Sequence, residues 1–241
     1  MPLRAVFLDI GDTIMRPDPS WEHVYEKAFA EYGLDVTAEQ LRDALREVYQ
    51  SGGYGFEGRF DATEETSYRR TVELDRRAMS ALGVGPMPDE FFRRLAELFM
   101  VTSHWHVFPD VVPALRDLKA RRLTLGVVSN WVWTLPELLH ELELVAHFDF
   151  VVASSRIGYE KPHAGIFEHA LHLAEVAAAD VIHVGDNVRA DVAGAQAAGI
   201  EPVLIDRRGR VDEPPDGVVV IRSLDELLPI VDARLAAVAS S

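Results

Sequence analysis

From Asp110 onward, short β-rich runs alternate with amphipathic helical runs, and this alternation constrains the fold more than any other feature. The helical pattern of "VVPALRDLKARR" leads into "LTLGVVSN", a short apolar run with a polar end. "TLPELLHELELVAHF" reads as a helix, "FDFVVAS" as a strand, and "HAGIFEHALHLAEV" as an amphipathic helix. "DVIHVGDN" is a strand with a polar tip. "RADVAGAQAAG" is a small-residue helix stopped at Gly199, "IEPVLID" is a strand, and "GVVVIRS" reads as one more, the sixth of the chain once Ala5–Leu8 is counted. The last helix opens with a Ser-x-x-Glu capping box, Ser223 to Glu226. Strands alternating with helices build a parallel sheet covered on both faces. Near the N-terminus, Ala5 to Leu8 supplies another strand and delivers Asp9 at its end.

Between Met15 and Trp105 the period changes. Helices are expected near 20–33, 37–51, 63–83 and 88–101, with Gly33 and Gly83 as stops and Thr37 with Gln40 as a capping box. No strand signal interrupts them. The expected organisation is a core of residues 1–14 and 106–241 with an all-helical insertion, 15–105, after the first strand. "SGGYGFEGRF" (51–60) reads as a Gly-rich loop, either a plain connector or a substrate-contacting segment.

Composition removes several function classes. The formal net charge is −15, which argues against non-specific nucleic-acid binding. An anionic substrate must then be held by a local positive feature, a metal or a lysine. Only Lys27, Lys119 and Lys161 are lysines. There is no cysteine, so thiolate catalysis and Cys-ligated zinc are excluded. No apolar run approaches the roughly 20 residues that span a bilayer, and no basic-then-apolar leader is visible, so a cytoplasmic protein is expected. Oligomeric state is left open.

Four polar strand tips stand out: Asp9 with Gly11–Thr13, Ser129–Asn130, Lys161 before Pro162, and Asp186 with Asn187 and Asp191. In a parallel sheet all four meet at the carboxyl edge, where ligands bind. Their chemistry suits phosphoryl transfer. A carboxylate such as Asp9 can act as a covalent nucleophile. Asp9 and Asp186 repel each other and a phosphate, which a hard cation such as Mg²⁺ resolves. Lys161 offers a point charge, and Ser129 a hydroxyl for phosphoryl oxygens. Asp191 and Asn187 are expected behind the metal ligands, positioning its waters. Taken singly, each tip also has a plain reading as a helix cap, turn or solvated loop.

In order, the tips resemble motifs one to four of the haloacid dehalogenase-like hydrolases, with "SN", "EKP" and "GDNxxxD…GAxxAG" as they stand here. Within that family the chain is most similar to the C1-capped, DREG-2-like group. The resemblance implies a Rossmann-like doubly wound α/β core of strand order 5-4-1-2-3 with the insertion as its C1 cap. It implies Asp9 as nucleophile and Ser129 as phosphate ligand, Thr13, Asn130 and Lys161 helping. Mg²⁺ would lie on Asp9, Asp186 and the Gly11 carbonyl. The substrate would be a small phosphorylated metabolite.

The first motif departs from the pattern. The family usually reads D-x-D-G-T; here it is D-I-G-D-T, Asp9 to Thr13. Gly11 keeps the backbone carbonyl and loses the carboxylate that serves as acid/base. Asp12 is a candidate replacement, or simply a turn residue. The departure also fits a metal-independent 2-haloacid dehalogenase, whose halide leaves without a proton. A third reading is a weakened hydrolase fold used for binding. Tyr54, Phe56 and Arg59 are candidate specificity residues, and Trp131 and Trp133 either wall the pocket or join the core.

Overall fold

The computed structural model describes residues 3–50, 58–211 and 213–239; Tyr54 and Phe56 lie outside them. In chain order the elements are β1 (Ala5–Leu8), β2 (Met15–Pro17), α1 (Trp21–Glu31), α2 (Ala38–Gln50), α3 (Glu64–Ala81), α4 (Asp89–Phe99) and β3 (Trp105–Val107). There follow α5 (Val111–Ala120), β4 (Thr124–Ser129), α6 (Leu135–Glu141), β5 (Phe150–Ala153), α7 (Ser154–Ile157), α8 (Ala164–Ala174) and β6 (Val181–Gly185). The chain ends with α9 (Gly194–Ala197), β7 (Glu201–Ile205), β8 (Val219–Ile221) and α10 (Leu227–Ala239).

Six strands form one parallel sheet in the order β5-β4-β1-β6-β7-β8. Read from β7 to β5 this is the expected 5-4-1-2-3, with β8 added beyond β7. The fold is α/β and Rossmann-like. β1 is buried on both faces, which is why "AVFL" does not alternate with polar residues. Val6 and Leu8 face a core built with α5, α6 and α10, while Ala5 and Phe7 face one built with α8 and α9. All six strands run the same way, so their polar ends emerge at one edge.

The four helices between β2 and β3 have a core of their own, with Phe29, Leu41, Phe91 and Leu95 fully buried. Gly33 and Gly83, both at φ +71°, stop α1 and α3 as expected. Sequence reasoning missed β2 and β3, which pair antiparallel at the foot of the insertion. Each is three residues long, too short for any periodicity to register.

Three expected features are corrected. The helix expected across "TLPELLHELELVAHF" ends at Glu141, and Glu143 takes a left-handed turn at φ 57°. The capping box at Ser223 does not form: Ser223 makes no cap bond, and Asp110 accepts from the Leu224 N–H at 2.6 Å instead. The helix expected over "RADVAGAQAAG" opens with a π-helical segment, Val188–Ala193, before α9. Asn187 caps it, accepting from the N–H groups of Arg189 and Ala190 at 3.0 and 2.9 Å.

Candidate active site

Asp9 follows β1 directly and is anchored by its N–H on the Val184 carbonyl of β6, at 2.9 Å. The chain then turns on a single acceptor. The Ile10 carbonyl takes the N–H groups of Thr13, Ile14 and Met15. Asp12 adopts φ 50°, a left-handed conformation that Asp tolerates better than most residues. Gly11 does not need to be glycine for backbone reasons, because its φ is ordinary. A Cβ built there would sit 3.7 Å from the indole of Trp131, an unstrained contact.

The tips expected to meet do meet. Lys161 Nζ donates to Asp9 at 2.7 Å and to Asp191 at 2.6 Å, with its side chain 2% exposed. Lys27 and Lys119 lie elsewhere, on His104 and Asp149. Carboxylate oxygens of Asp9, Asp186 and Asp191 lie within 4.8 Å of one another. Ser129 is buried at the end of β4, beside Asp9. Thr13 is fully buried, and its hydroxyl has no partner among the described residues.

Asn130 links two of the tips. Its amide is used on the Lys161 backbone, accepting from the N–H at 2.7 Å and donating to the carbonyl at 2.9 Å. The side chain is thereby tied to the Lys161 backbone, with one amide N–H left for another acceptor. Asp191 is similarly committed. One oxygen accepts from Lys161 and lies 2.8 Å from Nε2 of His183; the other accepts from the Asn187 N–H at 3.0 Å. It packs so close to β6 that a Cβ on Gly185 would fall 2.1 Å from its Cγ, so only glycine fits there.

The electrostatics follow from one lysine among three acids, Asp9 and Asp191 buried and Asp186 partly so. Burial pushes the Asp9 carboxyl above the ordinary aspartate range, and Lys161 opposes this without cancelling it. Asp186 is pushed up to about 8, first by burial and then by Asp9, Asp191 and Asp12. Asp191 goes the other way: burial would raise it, but Lys161 and His183 outweigh that and hold it low. The Lys161 ammonium is opposed by burial and held above the usual lysine value by Asp191 and Asp9. The cluster as it stands is short of positive charge, so its donor set fits a hard divalent cation.

Sequence reasoning missed three participants. His183 is fully buried on β6, within an otherwise apolar strand. Arg207 and Arg208 follow β7 and make it a fifth contributing tip. Arg207 donates to the Thr13 carbonyl from Nη2 at 2.7 Å, and its Nη1 donates to both carboxylate oxygens of Asp110 at 2.8 Å in a buried pair. Arg208 holds Asp12 at 2.7 Å. The run "IDRRGR" at a strand end was the available signal.

The helical insertion touches this edge. Arg70 of α3 pairs with Glu160, beside Lys161, at 2.7 Å, both side chains 13% exposed. Ser67 accepts from the Trp133 N–H at 3.0 Å, and the Trp133 ring lies under Arg156. Trp131 is partly buried against Trp21 and Trp105, joining the core more than any pocket wall. Arg59 lines a separate cavity with Phe60, Asp61 and Ile157.

Comparison with known proteins agrees with this geometry. The bovine (Bos taurus) haloacid dehalogenase-like hydrolase domain-containing protein 3 is 30% identical, over 96% of this chain and 95% of that one. A glyceraldehyde 3-phosphate phosphatase of Methanothermobacter thermautotrophicus is 29% identical, over 95% and 99%. A phosphoserine phosphatase of Thermus thermophilus is 34% identical, over 88% and 92%. Among solved structures, a 2-haloacid dehalogenase from Pseudomonas syringae superposes with a TM-score of 0.64 at 28% identity, covering 96% of this chain and 99% of that one. The family model of the haloacid dehalogenase-like hydrolases matches residues 3–199, and the chain belongs to that family of hydrolases.

Proposed function

We propose that this hydrolase is a magnesium-dependent phosphatase of a small phosphorylated metabolite, working in the cytoplasm through a phosphoaspartate on Asp9. The observation that carries the reading is the pairing of buried Asp9 with Lys161 beside a second acid, the partly buried Asp186, which has no ion pair among the described residues. Asp9, Asp186 and the Gly11 carbonyl would hold Mg²⁺. When bound, the ion would offset the charge of the carboxylates and of the phosphoryl oxygens.

An Asp9 oxygen attacks phosphorus, the bond from phosphorus to the ester oxygen breaks, and the leaving oxygen takes a proton. Water then attacks the phosphoaspartate, releasing inorganic phosphate and restoring the Asp9 carboxylate. Lys161 and Ser129 bind the phosphoryl oxygens, while Asn130 and Asp191 hold Lys161 and the Asp186–Asn187 turn in place. Asp12 serves as the acid/base, one residue later than in the family pattern. Its place three residues beyond Asp9, on the turn gathered by the Ile10 carbonyl, supports this role. Residues 15–105 act as the cap over the core of 1–14 and 106–241, a reading supported by the contacts of Arg70 and Ser67.

Asp9→Asn should abolish phosphate-ester turnover and prevent trapping of beryllium fluoride. Substantial residual turnover would reject the mechanism. Gly11 favours a second reading, metal-independent dehalogenation, and a binding role is a third. Turnover of phosphate esters that requires Mg²⁺ supports the first, halide release without metal the second, and neither the third.

A further inference from the structure

A strongly basic cleft opens beside the Asp12 turn, in a chain whose acids outnumber its bases 39 to 24. Arg42 and Arg46 of α2 line it from the helical insertion, with Ser20 and His23 at the start of α1. Arg208 and Arg210, from the loop after β7, line it from the core. Its volume of about 700 Å³ is in the range of small-molecule sites. Arg208 ties it to the catalytic edge through Asp12, three residues beyond Asp9.

Three of these arginines, Arg42, Arg46 and Arg210, are weakly committed, while Arg208 is paired with Asp12. Arg42 meets Glu22, which also lines the cleft, at 3.3 Å, and Arg46 meets Asp43 at 3.4 Å. Both arginine side chains are more than half exposed, at 51% and 61%, and the Arg46 pair, open to solvent on both sides, contributes little. Arg210 makes no side-chain ion pair among the described residues; only its backbone N–H is used, on Asp206. Asp206 also accepts from the N–H groups of Arg208 and Val211, so the loop that presents the arginines is shaped in advance. An oxyanion entering here would find guanidinium forks with little to give up.

We infer that the cleft receives a second anionic group of the substrate, a carboxylate or a second phosphate, placed a few atoms from the phosphoryl group on Asp9. The substrate class is thereby narrowed to phosphate monoesters with an anionic tail. This rests on the phosphatase reading above, and it makes Arg208 a specificity residue whose partner exchanges between Asp12 and the substrate.

The test uses three phosphate monoesters of the same three-carbon length, ending in a hydroxymethyl group, a carboxylate or a second phosphate. kcat/KM is measured with Mg²⁺ for the wild-type protein and for the Arg46→Ala/Arg210→Ala double variant. Both residues are exposed, so the variant should fold normally. At least one anionic ester should exceed the hydroxymethyl ester by about tenfold or more, mostly through KM, and the ratio should fall towards one in the double variant. Equal values in the wild type, or a preference that survives in the double variant, would overturn the cleft while leaving the phosphatase reading intact. If no ester turns over, that reading fails instead. Calorimetric binding of the same three esters then decides the cleft by the same ratio.

Discussion

The sheet edge and the helical insertion each bury an aspartate at 2% exposure or less, and they treat it in opposite ways. Asp191 at the edge is 1% exposed and meets Lys161, His183 and the Asn187 N–H, so its carboxylate stays ionised. Asp75 in α3 is 2% exposed among apolar residues of the insertion; the Tyr25 hydroxyl donates to it at 2.7 Å, and burial pushes it up to about 7. A buried acid is tolerated either by importing a cation or by keeping its proton. The edge takes the first course because it must hold charge. The insertion can take the second.

Removing the cation from the edge should give the largest effect. Lys161→Ala leaves Asp9 and Asp191 buried without their shared partner. Turnover should be nearly lost, and breaking such a pair typically costs about 3–5 kcal/mol of stability. Lys161→Arg should also be poor, because a planar fork does not replace a point charge between two carboxylates. Steady-state turnover and denaturant unfolding of both variants check this; full activity in the Arg variant would show that the edge needs only positive charge.

A smaller change at the edge concerns the proton. If Asp12 is the acid/base, Asp12→Asn should slow alkyl phosphates by about 10²–10⁴-fold and aryl phosphates, whose leaving groups need no proton, far less. Gly11→Asp should then help little. The Cβ is accommodated beside Trp131, but the new carboxylate adds to an edge that already holds too many. If Asp12→Asn is silent and Gly11→Asp raises alkyl turnover, the family position is the effective one and Asp12 belongs to Arg208 alone.

The insertion's acid should show itself in stability and hardly in turnover. Asp75 ionises at an ordinary aspartate pKa when unfolded and at about 7 when folded. Between those values the folded state holds more protons, so stability falls as pH rises through that window and levels off above it. Asp75→Asn should flatten this decline and raise the melting temperature by several degrees at pH 8. Melting curves from pH 4 to 8 compare the variant with wild type, so that the upward shift of Asp186, with the same sign, cancels in the difference. Identical pH profiles would mean that Asp75 is ionised in the fold.

What could be read from the sequence divides along the same line between local and distant causes. Asp9, Ser129 and Asp186 were legible because each ends or follows a strand, and a parallel sheet brings such ends together whatever lies between; Lys161, in the loop beyond α7, was legible from its place between Glu160 and Pro162 ahead of a helix. The commitment of Asn130 to Lys161 was not legible, because it depends on two loops 31 residues apart. Arg207 and Arg208 reach Thr13 and Asp12 across more than 190 residues, and nothing local in "IDRRGR" says where they point. Asp75 sits within the polar-looking run "RTVELDRR" and gives no sign of burial in one dimension.

The two capping boxes carry this argument to the smallest measurable effect. Thr37–Gln40 and Ser223–Glu226 match the same pattern. At Thr37 the box closes: Thr37 N–H donates to the Gln40 side chain at 2.9 Å, and Gln40 N–H returns to the Thr37 hydroxyl at 3.3 Å. Among the described residues no other group takes those donors at the exposed start of α2. At Ser223 a distant acid intervenes. Asp110, already fixed by Arg207, takes the Leu224 N–H, and Glu226 turns to the Arg222 N–H. Thr37→Ala should therefore cost about 1 kcal/mol, the usual value of a working cap, while Ser223→Ala should change stability by less than about 0.5 kcal/mol. Asp110→Ala should exceed both, because it frees the Leu224 N–H and strips Arg207 of the partner that holds it under Thr13. Denaturant midpoints of the three variants give the order. A Ser223 variant as costly as the Thr37 variant would show that the serine caps its helix after all, and that the local pattern outweighs the long-range contact.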